Sequence, residues 1–125
     1  LFVLIPAVLL FPSEADRNGV SFERVGPFGG DVRSLLIDSR DSSVMFLGSS
    51  DGQIFRSVDA GASWTPLVPG IGRRGLVVDT LIQHPSVPNR LYAGAWDQHS
   101  SGGGLFESAD GGETWTEVHL PRSKS

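Results

Sequence analysis

Two stretches of the chain, SVDAGASW (Ser57–Trp64) and SADGGETW (Ser108–Trp115), set an aspartate inside one shared skeleton, Ser-x-Asp-x-Gly-x-Ser/Thr-Trp. A carboxylate so placed can move a proton at a reacting bond, or it can accept hydrogen bonds from the turn that carries it. Active sites are rarely built in duplicate, so the repetition favours the second role for Asp59 and Asp110. The remaining groups able to do chemistry are scattered. Asp51 lies in GSSDGQIFRS, Asp97 in GAWDQHSSGGG, and Arg73-Arg74 form an isolated basic pair. His84, His99 and His119 lack metal-ligand spacing and no acidic run resembles a calcium loop, so neither a metal nor a cofactor is expected. The glycines of SSGGG (Ser100–Gly104) fall between expected strands, not between a strand and a helix, which argues against a phosphate loop.

The elements that position these residues are themselves repeated. DVRSLLIDSRDSSVMFLGSSDGQIFRSVDAGASWTPL (Asp31–Leu67) is echoed by VVDTLIQHPSVPNRLYAGAWDQHSSGGGLFESADGGETWTEV (Val77–Val118). In this alignment Ile37 pairs with Ile82, MFLGS with LYAGA, and Phe55 with Phe106, while the extra length of the second copy falls mostly in Gln98–Gly103. Apolar words held in register around a variable loop are the mark of a repeat architecture. Each copy predicts four short strands. The first (Val32–Ile37; Leu76–Ile82) is nearly continuously apolar, as for a strand covered on both faces. VMFLGS or RLYAGA follows, then QIFRS or LFES, then WTPL or WTEV. Asp51-Gly52 is a hairpin signal between the second and third strands, and the aspartate phrase is the turn before the fourth. Four antiparallel strands repeated in tandem predict propeller blades. The fold class is therefore all-β, about two four-stranded blades of a β-propeller. Two are too few to close a ring, so further blades in a larger propeller, or self-association, are expected.

Bulk composition agrees. Sixteen glycines and eight prolines in 125 residues favour short strands and tight turns over long helices. A formal net charge of −4 offers no basic footprint for nucleic acid. The absence of cysteine excludes a disulfide scaffold and cysteine-ligated metal. LFVLIPAVLLF (Leu1–Phe11) is apolar but too short for a stable membrane span, and Ser13 and Ala15 suit a cleavage after Ala15. Residues 1–15 thus read as the remnant of a signal peptide, implying a secreted or periplasmic protein. Residues 16–30 read as a lead-in whose Phe22–Val25 resembles the outer strand of a preceding blade; 31–67 and 68–120 are the two blades, and 121–125 a tail.

The octapeptide resembles the Asp-box, or BNR repeat, of bacterial sialidases, sortilin-type receptors, xyloglucan-hydrolysing glycosidases and photosystem II assembly factors. GPFGGDVRSLLID, HPSVPNRLYAG and DGQIFRS look most like bacterial secreted proteins with tandem repeats of this kind. The second copy matches at Ser108, Asp110, Gly112, Thr114 and Trp115; the first, at Ser57, Asp59, Gly61, Ser63 and Trp64, departs only in Ser63. The resemblance implies that these ten residues are structural: the Asp accepts turn amides, the Gly takes a positive φ, and the Trp is buried with its indole N–H bonded. A sialidase site would need an arginine triad and a Tyr–Glu nucleophile, and the one tyrosine, Tyr92, sits in a strand word without an evident Glu partner. Xyloglucanase-like enzymes carry one of two carboxylates just after the second strand of a blade. Asp51 is similarly placed and is the candidate catalytic residue, with a plain hairpin turn, common in non-catalytic repeats of this kind, as the favoured alternative. Trp96 and Asp97 are candidate ligand contacts, with inter-blade packing as the alternative for Trp96. The expected function is an exported, non-enzymatic module binding a protein or glycan through its loop face. If it is an enzyme, a glycoside hydrolase is expected. A photosystem II assembly factor would call for a basic patch that the acidic balance does not provide.

Overall fold

The structure, a computed structural model, describes residues 31–121. The signal-peptide remnant, the lead-in with its Phe22–Val25 strand, and most of the tail lie outside the described residues. Two four-stranded antiparallel meanders follow one another along the chain. The first is β1 (Val32–Ile37), β2 (Met45–Ser49), β3 (Ile54–Ser57) and β4 (Thr65–Leu67). The second is β5 (Leu76–Gln83), β6 (Leu91–Asp97), β7 (Gly103–Ser108) and β8 (Thr116–Val118). Each sheet has the strand order of a propeller blade. No helix among the described residues is long and apolar enough to cross a membrane.

Register fixes which residues share a face. In the first blade Ser34, Gly48, Ile54 and Leu67 lie abreast, as do Leu36, Phe46 and Arg56, and together they form the face turned to the second blade. In the second blade the facing side carries Leu81, Ala93 and Phe106 abreast, with Val78 opposite Ala95. Phe46, Ile54 and Leu67 join Val78, Leu81, Leu91 and Phe106 in one buried cluster, so the core is the seam between blades. The Ser34 hydroxyl donates to the Val78 carbonyl across it at 2.8 Å. Gly48 permits that approach, since a Cβ there would lie 2.6 Å from Val78 Cγ1 and 2.7 Å from the Val78 carbonyl oxygen.

One expectation needs correction. Both first strands carry a bulge, at Arg33 (between Val32 and Ser34) and at Asp79 (between Val78 and Thr80). Because Ile37 pairs with Met45 while Gln83 pairs with Leu91, the structural equivalent of Ile37 is Gln83, and Ile82 corresponds to Leu36. The turns after β1 and β5 are closed alike, by Asp38 N–H to Val44 O and His84 N–H to Arg90 O, so the slip arises in the alignment of apolar letters and not in the fold. β1 meets the second blade on one face, and its other face is apolar too. The bulge brings Val32 onto the same side as Leu35 and Ile37, and these are 47%, 56% and 48% exposed. The second blade is bare on its opposite side, where Ile82 is 53% exposed.

The two repeats predict unequal responses to one substitution. Gly48→Ala overpacks the seam and should cost about 1–3 kcal/mol in urea unfolding. At the equivalent Gly94 an added Cβ meets only Thr80, 3.4 Å away. Gly94→Ala should therefore stay within about 0.5 kcal/mol of the parent.

Candidate functional site

The two ends of the blades carry different chemistry. At one end each octapeptide joins the third strand to the fourth. Ser57 and Ser108 close β3 and β7 and are each 1% exposed. The Ser57 hydroxyl donates to Asp59 Oδ1 at 2.7 Å and accepts the Gly61 N–H at 2.8 Å. Ser108 does the same with Asp110 and Gly112, at 2.8 Å in both bonds. Asp59 Oδ1 also accepts the Ser63 N–H, and Asp110 Oδ1 the Thr114 N–H, at 2.8 and 2.9 Å. The other carboxylate oxygens take the Ser63 and Thr114 hydroxyls. Every one of these donors lies within the aspartate's own octapeptide.

This saturation shifts the ionisation. The Ser63 hydroxyl and amide, then the Ser57 hydroxyl, lower the Asp59 pKa from 3.8 to about 2; Thr114 and Ser108 do the same for Asp110. A carboxylate held ionised near pH 2 is a poor proton donor or acceptor at neutral pH. Each turn also leans on its neighbour, with Ala60 N–H donating to Ser43 O and Gly111 N–H to Asn89 O, both at 2.9 Å.

The copies differ in three respects. Gly61 and Gly112 adopt positive φ, 89° and 91°, and so do the residues before them, Ala60 at 58° and Gly111 at 72°. The Trp115 indole N–H donates to Gly112 O at 2.9 Å, but the buried Trp64 N–H finds no acceptor among the described residues. The bonded indole expected for both copies is therefore present only in the second. Finally, the second octapeptide sits on the inter-blade seam. A Cβ at Gly112 would meet Phe46 and Leu67 at 3.2 and 3.3 Å, and Glu113 accepts from Arg56 at 2.7 Å.

The same end contains a cluster that sequence reasoning missed. Asp38 is buried beside Arg40, which reaches its carboxylate at 3.0 and 3.2 Å and also touches Asn89 Oδ1 of the other blade at 3.2 Å. The Arg40 guanidinium holds Asp38 below the usual carboxylate range against the opposing effect of burial. Only the phrase DSR hinted at it, and its partner on the second blade has no local signal.

At the opposite end lie the β2–β3 and β6–β7 loops and the connector between blades. Ser49 N–H bonds Gln53 O, leaving a three-residue loop, Ser50–Gly52, with Gly52 at φ 70°. Asp51 is exposed there and accepts the Gly75 N–H at 3.3 Å. It borders a cleft of about 300 Å³ whose lining includes Pro66, Pro69, Arg73 and Arg74. Asp97, in the corresponding position at the end of β6, turns its carboxylate into the inserted loop. It accepts the His99 N–H at 2.8 Å and the Ser100 hydroxyl at 2.9 Å, and these, with Arg73 nearby, lower its pKa. Trp96 is 45% exposed, and its register with Tyr92 and Gly94 puts it on the bare face of the second blade. Asp51 and Asp97 thus share an end but not their hydrogen-bond partners, and the octapeptide residues are separated from both by the length of the strands. No three His, Asp or Glu side chains among the described residues converge as metal ligands.

No family model matches the sequence. A xyloglucanase of a Paenibacillus species is 28% identical over 107 residues, which is 77% of this chain and 10% of that protein. A vacuolar protein sorting/targeting protein 10 of Talaromyces marneffei is 29% identical over 83 residues, or 66% of this chain and 5% of its own length. Among solved structures, the GH74 enzyme of Niastella koreensis superposes with a TM-score of 0.54 at 25% identity, covering 72% of this chain and 14% of that one. The GH74 xyloglucanase of Xanthomonas campestris gives 0.53 at 27%, covering 74% and 16%. The chain therefore spans a small part of each protein it resembles, and the fold is that of propeller blades.

Two outcomes follow from the octapeptide geometry. Stability linked to Asp59 and Asp110 is fully present above about pH 4, where the unfolded carboxylates are ionised, and is lost as pH falls through the folded values near 2. Thermal melts from pH 5 to pH 2 should show a steep decline that is blunted in the Asp59→Asn/Asp110→Asn double variant. Ala60→Gly relieves a left-handed alanine and should raise stability by up to about 1 kcal/mol, read as a higher urea midpoint at unchanged slope.

Proposed function

We propose that this chain is an exported, non-enzymatic propeller module that binds a protein or glycan on its loop end, its octapeptides serving as structural clasps. The observation that carries this reading is the contrast between the two ends. Asp59 and Asp110 spend both carboxylate oxygens inside their own turns. Both ends carry a cleft, but the carboxylates bordering the one at the octapeptide end, Asp110 and Asp38, are taken up by their own turns. Asp51, with Arg73 and Arg74, edges the loop-end cleft and accepts one backbone N–H, with Asp97 and the inserted loop at the same end. Export rests on the apolar run Leu1–Phe11 and the small residues Ser13 and Ala15.

A second reading makes the chain part of a glycoside hydrolase of the xyloglucanase-like type. It is favoured by the likeness to two GH74 structures and by the position of Asp51 just past the second strand, facing open space. Glycosidic cleavage needs a carboxylic acid and a carboxylate on opposite sides of the bond, so Asp51 would supply one of the pair.

Xyloglucan oligosaccharides separate the readings. For a binding module, calorimetry should show a saturable heat with no new reducing ends, weakened about tenfold or more, or ~1.4 kcal/mol, by Arg73→Ala. Release of reducing ends that disappears in Asp51→Asn would transfer the case to the hydrolase. No heat and no hydrolysis would leave the glycan arm without support and direct the search to protein ligands.

A further inference from the structure

The turn from β5 to β6 is braced by an imidazole. His84 Nδ1 accepts the Ser86 N–H at 3.1 Å and the Val87 N–H at 3.0 Å, while the His84 N–H closes the turn on Arg90 O at 2.8 Å. Register makes Asp38 the equivalent residue of the first blade, since Ile37 pairs with Met45 and Gln83 with Leu91. There a carboxylate has the same task, Asp38 Oδ1 accepting the Arg40 N–H at 2.8 Å. Arg40 keeps that carboxylate ionised. One blade thus braces its turn with an acceptor that persists at neutral pH, and the other with an acceptor that a single proton abolishes.

The imidazole-braced turn is also where the second blade holds the first at the octapeptide end. Ser39 N–H donates to Gln83 Oε1 at 2.8 Å, and Arg40 donates to Asn89 Oδ1 at 3.2 Å. Gln83 is tied back to the turn by its Nε2, which donates to Pro88 O at 3.0 Å. Asn89 O accepts the Gly111 N–H of the second octapeptide at 2.9 Å.

We propose that His84 is a proton-operated latch between the blades: neutral, it fixes the turn that grips Ser39 and Arg40; protonated, it lets that turn go. A neutral imidazole with its hydrogen on Nε2 has one ring lone pair, on Nδ1, and both amide bonds use it. The next proton enters there, and an imidazolium is a donor at both nitrogens. The Ser86 and Val87 N–H groups then face another N–H, and the turn must rotate away. The titratable and charged groups on the surrounding elements are few. Tyr92 of β6 has its ring centroid 6.5 Å from that of His84, and Arg90 lies 3.0 Å from Glu107 of β7. Asp38 and Arg40 pair with each other on the neighbouring turn of the first blade. Both carboxylates already have an arginine, so neither is left to hold the new charge in place. Acidification therefore loosens the second-blade turn and leaves the Asp38 turn closed.

NMR of the 125-residue chain tests the latch. At about pH 8 the two ring-nitrogen shifts of His84 should report the Nε2–H tautomer, and an Nδ1–H ring overturns the proposal. Lowering the pH to about 5 spans the range in which imidazoles titrate. Over it the protection of the Ser86, Val87 and Gly111 amides, corrected for intrinsic exchange, should fall at least about fivefold, the worth of two modest hydrogen bonds. The fall should track the His84 ring protons, while the Arg40 amide keeps its protection. Amides indifferent to the protonation of His84 would overturn the latch. His84→Asp places the first blade's acceptor in this turn and should abolish the step, with circular dichroism matching the parent. A step that persists in that variant would belong to another group and would equally overturn it. Should the variant fail to fold, the tautomer and the amides of the parent chain decide.

Discussion

Everything in this molecule depends on a four-stranded sheet that is apolar on both faces. Such a sheet cannot keep one side in water cheaply, as an ordinary half-buried antiparallel sheet does. A buried Leu, Ile or Phe contributes about 1.5–3 kcal/mol. The seam places Phe46, Ile54 and Leu67 against Leu81, Leu91 and Phe106. Removing one blade would therefore forfeit a sum comparable with the ~5–15 kcal/mol that stabilises a typical domain. Stacking is the condition for either sheet to persist, and the two bare faces are the same requirement met on only one side.

The turns serve this stacking. Each third-to-fourth strand turn must be tight; a carboxylate accepting two hydroxyls and an amide of its own octapeptide fixes it, and one backbone bond ties it to the adjacent turn. Because every side-chain partner of the aspartate is local, the phrase can be copied from blade to blade with its carboxylate bonds intact. In the second copy the clasp also enters the seam, through Gly112 against Phe46 and Glu113 on Arg56. The opposite end, relieved of that task, carries the loops that vary most between the copies.

How much of this could be read from the chain depended on whether the cause was local. The aspartate phrases and Asp51-Gly52 announce turns because their residues make the turn themselves, so the eight strands fall close to where the apolar words lie. The bulges at Arg33 and Asp79 have no such signature. They reverse the in-and-out alternation within β1 and β5, setting Val32 on the side of Leu35 and Ile37 and Val78 on the side of Leu81, which a period of two in the sequence does not show. The left-handed Ala60 was hidden because only its partner position, Gly111, advertises a positive φ. At the candidate site, the exposure of Asp51 follows from its hairpin, whereas its contact with Gly75 and the link from Arg40 to Asn89 join residues distant in sequence.

Native-state hydrogen exchange on the central strands β2 and β6 addresses the stacking requirement most directly. If each sheet persists only against the other, the slowest amides of Phe46–Gly48 and of Tyr92–Ala95 should open with one common free energy and respond alike to denaturant. Two separate opening energies, with one blade exchanging while the other stays protected, would show that a single sheet stands alone and would contradict the account.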